Sequence, residues 1–286
     1  MKPAPFRYHA PDAIADVTSL LAEHGDEAKV LAGGQSLIPV LALRLSRFEH
    51  LIDLNTVQGL SGIERSNGHV RIGATTRQSA VERSSEVASS VPLLSRATPF
   101  IGHFQIRNRG TLGGSIAHAD PASEYPAVAL ALDAEIEATG PGGVRVIAAR
   151  DFFESTWTTT LAADEVLTAV RFPVWTGRCG FAVDEIARRS GDFALVGATA
   201  SVQLDASGKP TKAAITMFGV GSTPVRSADA EAAVLAGASS AEVGQAAAAD
   251  ITPTDDVHAS GAYRKKVAAV VVQRVLDKAI QEATNG

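Results

Sequence analysis

Cysteine is almost absent from this chain of 286 residues, in which Cys179 is the only one. A single thiol cannot form an internal disulfide. It also cannot provide the several cysteine ligands that an iron–sulfur cluster or a structural zinc site requires. The sequence therefore excludes a disulfide-stabilised scaffold and a chain that holds its own iron–sulfur cluster.

Long apolar runs and an excess of basic residues are missing as well. No uninterrupted apolar stretch approaches the ~20 residues of a bilayer-spanning helix, and the first residues, MKPAP, lack the apolar core of a signal peptide. The net charge of -5 argues against nucleic acid as the main partner, because phosphate backbones are bound by dense basic surfaces. With 45% hydrophobic and 20% charged residues, the composition indicates an ordered globular protein, which we expect to be cytoplasmic.

Two glycine doublets, about eighty positions apart, are the most informative feature that is present. The first lies in AGGQS at residues 32–36 and the second in TLGGS at residues 111–115. Glycine lacks a Cβ and tolerates positive φ, so backbone N–H groups in such loops can approach an anion closely, and nearby Ser, Thr and Gln add neutral donors. Two such loops could hold one diphosphate from two sides. Neither has the spacing of a Rossmann motif or the lysine of a P-loop.

Other side chains near the second doublet give weaker indications. His118, Asp120 and Glu124 could supply metal ligands and a base, but they share a short loop that contains a proline, and metal sites usually use more histidine. A Ser–His–Asp triad is less well supported, because the chain has no G-x-S-x-G motif. Arg107 and Arg109 are either solvated loop charges or a source of attraction for an anion or a partner. The lone histidines in polar stretches, which we expect at the surface, are His9, His24, His50, His69 and His258.

Turn signals divide the chain into an α/β beginning and a remainder rich in strands. Glycine-containing turns at residues 66–68, 139–143 and 205–209 separate apolar runs, which predicts three β-hairpins. Ser36 could begin a helix that runs to about Arg47. The stretch 173–178 has no periodicity and contains a proline and a glycine, which favours a domain boundary there.

Taken together, AGGQSL at residues 32–37 and IRNRGTLGGS at residues 106–115 resemble the FAD-binding medium subunits of molybdenum hydroxylases. This family includes the flavoprotein subunits of aerobic carbon monoxide dehydrogenase and of bacterial nicotine and caffeine dehydrogenases. Xanthine dehydrogenase carries the same module within a longer chain. The resemblance covers nearly the whole chain and includes EIARRSGDFA at residues 185–194.

The resemblance implies an α+β fold with two domains. Residues 1–175 would form an FAD-binding domain with two α/β subdomains, about 1–57 and 58–175, similar to that of p-cresol methylhydroxylase. Residues 176–286 would form a smaller C-terminal domain of antiparallel sheet and helices, of the carbon monoxide dehydrogenase flavoprotein type.

The resemblance also implies where FAD would bind, with no catalytic and no metal-ligating residue in this chain. The two glycine loops would hold the diphosphate from opposite sides. Ser115 departs from the Asn of many relatives, although its hydroxyl can still donate. Glu124 would accept hydrogen bonds from ribityl or ribose hydroxyls, and Ile101 would lie where the chain passes the flavin. Asp184, where some relatives have a lysine, is left out of the site. The implied cofactor-binding residues are Val30, Leu31, Ala32, Gly33, Gly34, Gln35, Ser36, Leu37, Ile101, Thr111, Gly113, Gly114, Ser115 and Glu124.

Partner subunits follow from the resemblance and agree with the scarcity of cysteine. A large subunit would hydroxylate substrate with water at a molybdopterin-type molybdenum cofactor, and a small subunit would carry two [2Fe–2S] clusters. This chain would receive the electrons and pass them to an external acceptor, within a dimer of heterotrimers. The alternatives are a self-sufficient FAD-dependent reductase or oxidase, which would need its own substrate pocket and base, and a non-redox assembly module that keeps the FAD fold.

Overall fold

A small parallel sheet begins the fold in the computed structural model, which describes residues 2–285. Its strands, in the order β1-β3-β2, are β1 (Arg7–His9), β2 (Ala28–Leu31) and β3 (His50–Asp53). Helix α1 (Ile14–His24) connects β1 to β2, and the short helix α2 (Leu37–Ala42) follows the first glycine doublet. Val17 and Leu21 lie on one face of α1 and pack with Ile52 of β3, because residues four apart share a helix face.

A five-stranded antiparallel sheet and a group of short helices form the second unit. Its strands, in the order β4-β5-β10-β6-β7, are β4 (Ile63–Ser66), β5 (His69–Gly73), β6 (Glu135–Gly140), β7 (Gly143–Ala148) and β10 (Val166–Pro173), while β8 (Phe153–Ser155) and β9 (Thr158–Thr159) pair separately. The helices are α3 (Gln78–Arg83), α4 (Ser85–Ser90), α5 (Pro92–Ala97), α6 (Phe104–Arg107), α7 (Leu112–His118) and α8 (Glu124–Ala131). Every residue of α8 is buried, so this helix lies inside the main hydrophobic core.

A four-stranded antiparallel sheet covered by helices forms the third unit. The strands, in sequential order, are β11 (Arg178–Ile186), β12 (Val196–Leu204), β13 (Pro210–Phe218) and β14 (Val225–Arg226). The helices are α9 (Ala228–Ala236), α10 (Ser240–Ala249) and α11 (Gly261–Asn285). Helix α11 packs across β11 and β12 and against α10, and its residues Val272 and Leu276 are buried with Val202 of β12. The expected α+β class is confirmed.

The second and third units share one packed boundary. Strand β10 ends at Pro173 and β11 begins at Arg178, yet Phe181 and Phe218 of the third unit belong to the main core of the second. Arg96 of α5 also donates to Glu282 of α11, with 2.6 Å between Nη2 and Oε1. Side chains from both units therefore fix their relative position.

The hairpins expected from the sequence are confirmed, whereas the expectations for segments whose structure depends on tertiary contacts are not. The three expected hairpins are confirmed as β4/β5, β6/β7 and β12/β13. The helix expected to reach Arg47 is wrong in length, since α2 ends at Ala42 and Arg44 then takes a left-handed φ of 58°. Strand β11 is not signalled by alternation, because its central residues 180–183 are all buried.

Candidate cofactor site

The fold brings the two glycine doublets into direct contact. A Cβ built on Gly33 would lie 2.5 Å from the carbonyl oxygen of Arg109 and 2.7 Å from Cα of Gly110. A Cβ on Gly114 would lie 3.3 Å from Cβ of Ala32. Only residues without a side chain allow such an approach, so the glycines first of all let the two loops pack together.

The first loop presents a row of unused backbone donors. Gly34 has a φ of 73°, which turns the chain between β2 and α2. Within residues 2–285, none of the N–H groups of residues 33–37 donates a hydrogen bond, whereas the Gln35 amide donates to the carbonyl of Gly33 at 3.1 Å. Successive free N–H groups at a helix start favour an anion. Val30 and Leu31 belong to β2 and lead the chain into this loop.

Two side chains that the sequence did not single out hold the loops in place. The Asn55 amide donates to the carbonyl of Ala32 at 2.9 Å, and Arg77 donates to the Asn55 amide oxygen at 2.6 Å. Arg77 also donates to the carbonyl of Arg109, so one guanidinium links both loops. Burial and the nearby positive charge of Arg109 lower the pKa of Arg77. A bound anion at the paired loops would offset this repulsion.

The two arginines singled out beside the second doublet have different roles. Arg107 forms a bidentate ion pair with Glu82, with N···O distances of 2.9 and 3.1 Å, and also donates to the carbonyl of Gly102. It is therefore a structural residue of the α3–α6 contact. The Arg109 side chain is exposed and has no acidic partner within residues 2–285, so its charge is available to an anion.

The backbone N–H groups of the second loop already donate hydrogen bonds within the protein. Thr111 caps α7 by accepting from the N–H of Gly114 at 3.1 Å, and the N–H of Gly113 donates to the carbonyl of Ala74 at 2.9 Å. A Cβ on Gly113 would lie 2.6 Å from Cβ of Ala74, so this glycine packs α7 onto the end of β5. The hydroxyl of Ser115 lies 3.2 Å from that of Ser123. The donors left on this side are hydroxyl groups rather than backbone N–H groups.

Glu124 is a buried carboxyl group at the first turn of α8. It is only 4% exposed, and burial, followed by the nearby carboxylate of Glu185, raises its pKa to about 8. Burial and then Asp184 raise the pKa of Glu185 to about 7, and one oxygen of Glu185 has no hydrogen-bond partner within residues 2–285. Two adjacent acceptors of this kind suit the hydroxyl groups of a ligand, which would stabilise the ionised form.

Asp184 and Ile101 lie beside this region. The Lys278 ammonium lies 3.0 Å from the Asp184 carboxylate. Helix α11 therefore supplies a cation beside Asp184, the position that the family resemblance compares with a lysine. Ile101 lies at the end of a short 3-10 turn and packs against the main core, and its carbonyl accepts from Arg107 at 3.2 Å.

A cavity of about 640 Å³ lies between the turn before α8 and the third unit. Its walls include Asp120, Trp157, Phe193 and Arg264. The N–H of Gly219 donates to the carbonyl of Pro121 at 2.8 Å and holds the turn against β13. The volume lies within the ~300–1,000 Å³ of small-molecule sites.

A metal site at His118, Asp120 and Glu124 finds no support in the geometry. The Asp120 carboxylate accepts from the N–H of Ala122 at 2.9 Å and from the Trp157 indole at 3.1 Å, and His118 lies against the Trp157 ring. Within residues 2–285, the side chains whose ligand atoms converge lie elsewhere. The fit to a diphosphate-containing cofactor is better, since the site offers unused N–H donors, a close approach without side chains, and buried acceptors.

No helix in the described part of the chain combines the length and the apolar character that a membrane span requires. The longest helix, α11, has 25 residues and carries charged side chains throughout.

Comparison with known proteins identifies the family. Residues 4–175 match the model of the FAD binding domain in molybdopterin dehydrogenase, and residues 181–279 match that of the CO dehydrogenase flavoprotein C-terminal domain. The chain is 41% identical to the 6-hydroxypseudooxynicotine dehydrogenase complex subunit alpha of Paenarthrobacter nicotinovorans, over 99% of this chain and 97% of that protein. It is 38% identical to the carbon monoxide dehydrogenase medium chain of Afipia carboxidovorans over the full length of both.

The three-dimensional comparison agrees. A chain of the carbon monoxide dehydrogenase of Hydrogenophaga pseudoflava superposes with a TM-score of 0.96 at 36% identity, over 99% of both chains. The resemblance drawn from the glycine runs is thus confirmed over nearly the whole sequence. This protein belongs to the family of FAD-binding medium subunits of molybdenum hydroxylases.

Proposed function

We propose that this chain is the FAD-carrying electron-transfer subunit of a heterotrimeric molybdenum hydroxylase. When bound, FAD supplies the redox chemistry, and the protein supplies position and electrostatics. The observation that carries the proposal is the contact between the two glycine loops, where residues 33–37 present unused N–H donors. Family membership is the independent support.

The binding roles in this proposal are unequal on the two sides of the diphosphate. Residues 30–37 form the donor side, where the N–H groups from Gly33 to Leu37 bind the phosphate oxygens. Gly114 allows the close approach, and the hydroxyls of Thr111 and Ser115 donate from the other side. The role of Gly113 is to pack on Ala74 rather than to bind phosphate, because its N–H already donates to the carbonyl of Ala74.

Hydroxyl groups of the cofactor are the proposed partners of the buried carboxyl groups. Glu124 accepts from ribityl or ribose hydroxyls, and the neighbouring Glu185 adds a second acceptor. The flavin end extends toward the cavity beside Trp157, with Ile101 where the chain passes the ring. Nothing in this arrangement requires a general base for hydroxylation, because that reaction belongs to another subunit.

Partners complete the proposed enzyme. A large subunit with a molybdopterin-type molybdenum cofactor would oxidise the substrate, and a small subunit with two [2Fe–2S] clusters would deliver electrons to this chain. The two relatives are named as a subunit of a dehydrogenase complex and as a medium chain. The single cysteine of this chain agrees with clusters held elsewhere. We further propose a dimer of heterotrimers, an external acceptor, and a domain division at about residue 176.

The experiment is a visible spectrum of the purified chain, alone and in complex with its partner subunits, followed by heat release of the chromophore. We expect flavin bands and stoichiometric FAD, with iron–sulfur absorption only in the complex. Substrate should bleach the flavin bands in the complex and leave those of the isolated chain unchanged. A chain that contains no FAD in either form would refute the proposal, and substrate turnover by the isolated chain would favour a self-sufficient enzyme.

A further inference from the structure

Three histidines that are far apart in sequence lie together at one end of the parallel sheet. His9 ends β1, His24 ends α1 and His50 begins β3. The expectation of a surface position is wrong for His50, which is only 5% exposed, whereas His9 and His24 are half-buried. Nε2 of His9 lies 2.9 Å from Nδ1 of His50, and the ring centroids of His24 and His50 are 3.6 Å apart.

The fold explains this convergence. In the register of β1 and β3, His9 is opposite Ile52, which shares a sheet face with His50 because residues two apart point the same way. His24 lies three residues after Leu21 on the face of α1 that packs on this sheet. Helix and strand pairing therefore aim all three imidazoles at one point.

The side chains of the cluster are of the types that bind metal ions. Neutral imidazoles keep a lone pair each, which is the form that binds a metal. Carboxylates are close by, since ligand atoms of Glu27, Glu49 and His50 lie within 4.8 Å of one another, as do those of the three histidines.

We propose that His9, His24 and His50 bind a divalent transition-metal ion of the Zn²⁺ class. Three imidazoles match the ligand preference of this ion, with Glu27, Glu49 or a water as fourth ligand. Tetrahedral bonds of about 2.0–2.1 Å place ligand atoms about 3.3 Å apart. On binding the ion, the 2.9 Å distance between Nε2 of His9 and Nδ1 of His50 would lengthen slightly, and the longer distances between the other ligand atoms would shorten. The stacked rings would turn about their terminal side-chain torsions so that each directs a nitrogen at the ion.

The proposed metal site is separate from the cofactor loops, and its expected effect is on the stability of the fold. The histidines lie at the end of the sheet where β3 begins, whereas the first glycine loop follows the opposite end, where β2 finishes. A bound ion would join β1, α1 and β3, of which β1 has only three residues. Because binding to the folded chain alone adds stability, the metal would anchor the N-terminal strand.

The test uses the full chain loaded with FAD, and Zn²⁺ and Co²⁺ as probes. We expect one Zn²⁺ per chain by calorimetry, a Zn²⁺-dependent rise in Tm, and the visible bands of tetrahedral Co²⁺. His9→Gln and His24→Gln should each weaken Zn²⁺ binding by about 100-fold and abolish the Co²⁺ bands, since even an outer partner of a metal ligand contributes about 10- to 100-fold. FAD content should be unchanged in both variants.

His69→Gln is the matched control, because His69 is half-buried, lies on β5 and belongs to no such cluster within residues 2–285. It should bind Zn²⁺ as the unmodified chain does. Zn²⁺ affinity that is equal in the unmodified chain, His9→Gln and His24→Gln would overturn the proposal, as would Co²⁺ bands that persist in both variants. His9 and His24 are chosen over the more buried His50 so that the variants fold.

Discussion

Replacement of Gly33 by alanine should push the two glycine loops apart. The added Cβ would lie 2.5 Å from the carbonyl oxygen of Arg109, whereas ordinary contacts begin at 3.4 Å, so the loops must separate by about 0.9 Å. The two nearest atoms, the carbonyl oxygen of Arg109 and Cα of Gly110, both belong to the backbone. The Asn55–Arg77 hydrogen bonds hold each loop, so the chain cannot relax as a flexible side chain would.

Two effects of this substitution can be estimated. Overpacking of a close contact costs about 1–3 kcal/mol of unfolding free energy. A displacement of this size should also break about one of the proposed N–H bonds to phosphate, and hydrogen bonds to charged groups contribute about 1.5–3 kcal/mol each. A loss of about 2 kcal/mol corresponds to a Kd for FAD that is about 30-fold weaker.

The assay is a titration of the FAD-free chain with FAD, followed by flavin fluorescence, with urea unfolding measured in parallel. Gly142→Ala is the matched control, because a Cβ there meets no atom within 4 Å, and both its stability and its Kd should stay near those of the unmodified chain. An unchanged Kd for Gly33→Ala, in a chain that folds normally, would contradict the proposed role of the paired loops.

Two further predictions concern groups buried near the site. In the chain without FAD, Glu124 has its pKa raised to about 8 from about 4.3 in an unfolded chain, so the folded form holds the extra proton and unfolding free energy falls as pH rises between these values. Glu124→Gln should remove up to about 4 kcal/mol of that fall between pH 5 and pH 8, and urea titrations at these two pH values that show an unchanged difference would contradict this. Thr98→Val should cost about 1–3 kcal/mol, because the fully buried Tyr125 hydroxyl, 2.9 Å from Thr98 Oγ1, loses its partner. Thermal unfolding with Tyr125→Phe and the double variant should show strong non-additivity, and simple additivity would argue against the pair.

Much of the architecture is encoded locally. The hairpin around residues 66–68 and the one around 205–209 follow from turn residues between alternating strands, since the chemistry of a tight turn needs only its own few residues. Both glycine runs were recognisable for the same reason. Their combination is enough to identify the family and the cofactor.

The length of α2 and the formation of β11 depend on contacts with the rest of the molecule. Helix α2 stops at Ala42 where Arg44 turns left-handed, and β11 is buried on both faces, so neither shows its state in a local pattern. Asn55 and Arg77 were missed because their part in the site is to hold other residues, and such a role leaves no motif.

The sequence by itself determined the family, the cofactor and the loops that are proposed to bind it, because these depend on short runs whose backbone chemistry is local. Tertiary structure alone decided that Gly33 meets Arg109, that Gly113 packs on Ala74, that Glu124 is buried beside Glu185, and that three separate histidines meet. Each of these facts joins residues that are distant in the chain. Such contacts are set by strand register, helix packing and the exclusion of water, which exist only once the whole chain has folded.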